Sequence, residues 1–100
     1  MARFDEIVRR ALDSLPAEIA AKLENIAVVV EDEGAEDPDI FGLYSEDPYL
    51  PAQITIYRLP LEESFTDPHE LQEEIRVTVL HEVGHYFGMD EQQIAELGYD

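Results

Sequence analysis

Phe4, Ile7, Val8, Ala11 and Leu12 recur at helical spacing, which predicts an opening amphipathic helix. Ser14-Leu15-Pro16 reads as a stop and restart, with Ser14 or Leu15 capping and Pro16 in the first turn of a second helix that reaches about Leu23. The pattern then changes. Asn25 to Val30 is apolar and β-branched, the signature of a buried strand. Glu31 to Asp39 is acidic, carries Gly34 and Pro38, and reads as a loop. Ile40 to Tyr44 is a short strand candidate, Glu46 to Pro51 with its prolines a loop, and Gln53 to Arg58 an alternating strand. Leu59 to Thr66 is a connector with room for a turn of helix. Asp67-Pro68-His69-Glu70 is a strong helix start: an N-cap Asp, Pro at the first helical position, and Glu three residues after the cap. That helix should run to about Phe87, with Gly88 as its stop. Asp90 with Gln93 forms a second capping box, opening a short last helix through Leu97. Two helices, two or three strands and a long helix predict an α+β domain with a sheet packed on the long helix. A length of 100 residues, with no long linker, predicts a single domain spanning 1–100.

Charge narrows the partners. Asp and Glu number 24 against 6 Lys and Arg, a net charge of −18. The periodic apolar segments argue against disorder despite that excess. Such a surface repels phosphate, so nucleic acid and anionic membranes are not expected partners, whereas a cationic peptide, a basic protein or a metal ion suits the sign. The cysteine count of zero removes disulfides and thiolate metal sites. The longest aliphatic run, Ile26 to Val30, is too short to span a bilayer. The N-terminus reaches Asp5 without an apolar signal core. A cytoplasmic location is the expectation.

The chemistry concentrates in His81-Glu82-Val83-Gly84-His85. Residues i and i+4 share a helix face, about 5–6 Å apart at Cβ. Two imidazoles so placed can reach one zinc ion, whose Zn–N bonds are about 2.0–2.1 Å. Glu82 is turned about 100° away, so it need not ligate and can act on the activated water as general base. Ile75 to Phe87 is apolar nearly all round, which predicts a buried helix with His81, Glu82 and His85 in low dielectric. An open tetrahedral site needs a third protein ligand. Past Gly88, Glu91 falls where the extended H-E-x-x-H-x-x-G-x-x-H motif puts its last ligand. Asp90 is its rival, although the capping box gives Asp90 other work. His69, in the first helical turn among acids, reads as a surface residue, and Glu73 and Glu74 as the helix's wet face.

The run Val79-Leu80-His81-Glu82-Val83-Gly84-His85-Tyr86-Phe87-Gly88-Met89-Asp90-Glu91 resembles the small bacterial metzincin-like minimal zincins. Ser14-Leu15-Pro16, Asn25 to Glu33, Gly42-Leu43-Tyr44 and Ile54 to Arg58 resemble them too, so the likeness covers nearly the whole chain. It implies a reduced α+β zincin domain with a small mixed sheet packed on the motif helix, Zn2+ held by His81, His85 and Glu91, and Glu82 as the catalytic residue. The implied activity is zinc-dependent hydrolysis of peptide bonds in peptides or small proteins. The alternative is a non-catalytic zinc-bearing binding or regulatory module that retains the site. For substrate backbone pairing the candidate is Gln53 to Arg58. For oxyanion stabilisation the eligible donors are Tyr44, Tyr57, Arg58 and Tyr86.

Overall fold

The computed structural model describes residues 3–86 and Gln92. Helix α1 (Phe4–Asp13) buries Phe4, Ile7, Val8 and Ala11. It ends at Ser14, whose hydroxyl donates to the Ala11 carbonyl at 2.7 Å. Pro16 stands one position earlier than expected: it is the cap residue of α2 (Ala17–Lys22), not part of its first turn. Its carbonyl accepts from the Ile19 and Ala20 amides. A single 3-10 turn, Leu23–Asn25, delivers the chain to strand β1 (Ile26–Glu31).

Strands β2 (Gly42–Asp47) and β3 (Leu50–Tyr57) complete a mixed sheet of order β1-β3-β2. β3 runs parallel to β1, with Val28 opposite Ile54, and antiparallel to β2, with Tyr44 opposite Ile54. The expected loop over Glu46 to Pro51 is instead a tight hairpin. Its prolines are tolerated because Pro48 lies in the turn and Pro51 at the interrupted register between Ser45 and Asp47, where no regular ladder donor is required. The connector after β3 is helical, α3 (Arg58–Ser64), with Pro60 in its first turn and Leu61 fully buried.

Helix α4 (Pro68–Tyr86) begins as the sequence predicts: the Asp67 carboxylate accepts from the His69 and Glu70 amides at 3.1 Å each. Its Leu71, Ile75, Val79, Leu80 and Val83 meet the apolar face of α1 and the inward residues Ile26, Ile54 and Ile56 of the sheet. Ile54, Ile56, Leu61, Ile75 and Val79 are fully buried, and each such side chain contributes about 1.5–3 kcal/mol relative to exposure. The fold is thus α+β, a small mixed sheet with α1 and α4 on one face. Among the described residues no helix is long and apolar enough to cross a membrane.

Candidate metal centre

Three features place the site. The first is helical periodicity: His81 and His85 stand one turn apart on α4, ring centroids 4.8 Å apart and inclined at 71°. The second is the approach of β2 to α4. A Cβ at Gly42 would lie 2.6 Å from the Thr78 methyl and 3.2 Å from the Thr55 carbonyl, so only glycine lets the strand come this close. Thr78 turns its methyl to this contact while its hydroxyl donates to the Glu74 carbonyl at 2.7 Å. The third is a direct consequence of that closeness. The Tyr44 amide of β2 donates to Glu82 Oε1 at 3.1 Å, which gives the buried carboxylate, 8% exposed, the partner that burial demands. Its other oxygen lies 3.9 Å from His85 Nε2.

The side chains differ in exposure more than the apolar composition of α4 predicts. Glu82 is buried, but His81 is half-buried and His85 exposed, because both imidazoles border a cleft of about 360 Å³. Phe41, Gly42, Glu74, Val77 and Thr78 supply the rest of its lining. Glu73 is exposed and pairs with Arg76 at 3.5 Å, as a wet helix face should. Glu74 departs from that expectation: it is half-buried and lines the cleft.

One donor atom from each of His81, Glu82 and His85 can be chosen so that all lie within 4.8 Å of one another. This nitrogen and oxygen set, with two imidazoles close enough to share an ion, fits zinc. Glu91 and its rival Asp90 lie outside the described residues, as do the Gly88 stop, the Asp90–Gln93 capping box and the last helix predicted around Gln92. His69 is exposed.

The proposed substrate strand needs correction. Gln53 to Tyr57 belongs to β3, the central strand, whose two edges are occupied by β1 and β2, and Arg58 opens α3. Among the described residues, the free edge beside Glu82 belongs to β2. The oxyanion candidates also separate. Tyr57 lies on the sheet face away from α4, lining a hollow with Gly34, Ile40 and Leu43. Burial, then the charge of Glu31, raises its phenol. Arg58 is held by Asp32 at 3.0 Å and Glu62 at 2.6 Å, contacts that raise its guanidinium. Tyr44 and Tyr86 come together instead, ring centroids 5.7 Å apart, edge to face. The Tyr44 hydroxyl donates to Glu46. Burial first, then that hydrogen bond and the negative charge nearby, pushes the Tyr44 phenol up to about 12.

Sequence reasoning missed Gly42 as a close-approach residue and the Tyr44 amide as the anchor of Glu82. A glycine inside a strand pattern was the available signal for the first; a backbone amide leaves no trace in composition.

A zincin-like metallopeptidase family profile matches residues 23–99, a span that holds the whole sheet, α4 and the His81–His85 motif. No curated protein matches the chain. The match and the site geometry agree: the chain belongs to the zincin-like metallopeptidase family, whose members at family level are zinc peptidases.

Proposed function

We propose that the protein is a cytoplasmic zinc peptidase in which Glu82 is the general base and His81, His85 and Glu91 hold the metal. The observation that carries this reading is the setting of Glu82: a buried carboxylate, anchored by the Tyr44 amide, beside two imidazoles at the wall of an open cleft. Zinc would supply Lewis acidity at this position, making a water acidic and polarising a carbonyl. The anchored Glu82 then takes the proton of the attacking water and delivers it to the leaving amine. Its Oε1 is fixed by Tyr44, so Oε2, on the His85 side, is the oxygen free to move that proton. The substrate backbone pairs with the edge of β2 that no strand among the described residues occupies, beside the Tyr44 amide that Glu82 already takes, and so passes Glu82. Of the oxyanion candidates, Tyr86 stands nearest the imidazole pair in sequence, following His85 on α4.

The second reading, a zinc-bearing module that cleaves nothing, draws on the burial of Glu82. One variant separates the two. Glu82→Gln keeps an oxygen acceptor for the Tyr44 amide but cannot take a proton. It should retain zinc by metal analysis and lose about 10²–10⁴-fold in turnover of a peptide library, the usual size of general-base assistance. His81→Ala and His85→Ala should each lose stoichiometric zinc. Equal turnover by wild type and Glu82→Gln would remove Glu82 as the base, and cleavage by neither would favour the binding module.

A further inference from the structure

Glu74, Thr78, His81, Glu82 and His85 follow one another at spacings of three or four, or in immediate succession, so they form one stripe of α4 facing the cleft. Glu74 and His81 are separated by seven residues, about 10 Å of helix rise. Val77, Thr78, Gly42 and the ring of Phe41, which Phe65 meets edge-on at 5.7 Å, line the same cleft. The cleft's charged lining is Glu74 and Glu82, with neither lysine nor arginine among its described residues. Glu82 is engaged by the Tyr44 amide. Glu74 is half-buried, and its carboxylate has no hydrogen-bond or ion-pair partner among the described residues; the nearby Arg76 pairs with Glu73 instead. An acidic cleft that also presents Val77 and the Phe41 ring is complementary to a cation on a long aliphatic stem.

We infer that Glu74 is a specificity-determining residue, and that the cleft takes a lysine or arginine side chain of the substrate, its stem along Phe41 and Val77 and its cation on the Glu74 carboxylate. The inference rests on reading the His81–Glu82–His85 cleft as a peptide site, and it adds the class of side chain that site selects.

The test uses amidated, fluorescently labelled alanine-based octapeptides carrying a single central Arg, norleucine or Glu. Binding is read by anisotropy on the zinc-loaded Glu82→Gln protein, and cleavage with the zinc-loaded wild type. The Arg peptide should bind best. Adding Glu74→Gln should weaken its binding by about five- to tenfold, the size expected for a partly desolvated ion pair, and leave the norleucine peptide unchanged. Glu74→Arg should turn the preference toward the Glu peptide. Glu63→Gln, an equal change of charge at an exposed position on α3, should leave the order intact. Far-UV circular dichroism checks that the variants fold. The inference is overturned if Glu74→Gln keeps the Arg preference, if Glu63→Gln erodes it equally, or if no peptide binds. Cleavage without charge preference would sink this inference and leave the peptidase reading standing. Charge-selective binding that depends on Glu74, without cleavage, would do the reverse.

Discussion

Along α4, Leu71, Ile75, Val79, Leu80 and Val83 close on α1 and the sheet, while Glu74, Thr78, His81 and His85 border the cleft. The first face is held by volume. Its residues are buried, apolar and chemically interchangeable so long as the space stays filled. The second face is half-exposed and mostly polar, and a helix gains little stability from such residues, so packing does not fix their identities. Glu82 sits on the border between them. It is as buried as the core but polar, and the fold reconciles the two by bringing the Tyr44 amide to it. The packed core and the candidate metal centre thus lie on different sides of one helix and meet at one carboxylate.

The contrast can be broken most directly by truncating one residue on each face. Ile75→Ala should lose about 2–5 kcal/mol of unfolding free energy, the range for a large aliphatic side chain removed from a filled core. His85→Ala, in chelator-treated protein, should stay within about 0.5 kcal/mol of wild type, yet lose the rise in melting temperature that added zinc gives the wild type. Comparable destabilisation by both variants in urea titrations without metal would show that the two faces are not distinct.

A smaller effect is expected at the junction. Gly42→Ala places a methyl 2.6 Å from the Thr78 methyl, and the strain should cost about 1–3 kcal/mol. Because the strand must move away from α4, hydrogen exchange at the Tyr44 amide should accelerate in the same variant. Unchanged exchange would mean that the closeness of strand and helix does not position Glu82.

The smallest effect is the pH response of Tyr44. Its phenol is raised from 10.0 to about 12, so the folded state holds this proton more tightly than the unfolded chain. The associated stabilisation is complete below pH 10 and is lost as pH rises through 12. The stability difference between wild type and Tyr44→Phe should therefore be constant below that window and shift against the wild type across it, as chemical denaturation at stepped pH would show. A difference that does not change with pH would dissociate the Tyr44 phenol from the stability of the β2 side.

The sequence made the local features readable and the long-range ones not. Asp67-Pro68 marks the start of α4 because capping is settled within a few residues. The pairing of His81 with His85 follows from one helical turn. A sheet packed on α4 was also anticipated, from the capping signals and the two β-branched runs, and its mixed character from the family resemblance. The strand order was not: period two identifies Gln53 to Tyr57 as a strand but says nothing of its neighbours, and the strand with the most regular alternation proved central, with no free edge. The prolines at 48 and 51 hid a hairpin because their compatibility depends on where the ladder is interrupted. Glu74 was indistinguishable from Glu73 by composition. A difference of one position, about 100° around the helix, separates the solvent from the cleft.

The hydrogen bond from Tyr44 to Glu82 joins residues 38 positions apart, whereas His81 and His85 are neighbours within a single helical turn. The two halves of the site therefore have different folding histories. The imidazole pair exists as soon as that turn of α4 forms, because its geometry is a property of the helix alone. The anchored carboxylate requires the β2–β3 hairpin to close and then dock, and the entropy of closing so long a loop is met only when the tertiary structure forms. A chain that has made its helices but not its sheet would hold the two imidazoles without an anchored Glu82. The Tyr44–Glu82 contact is then a property of the assembled sheet and helix together, whereas the imidazole pair is a property of the helix alone.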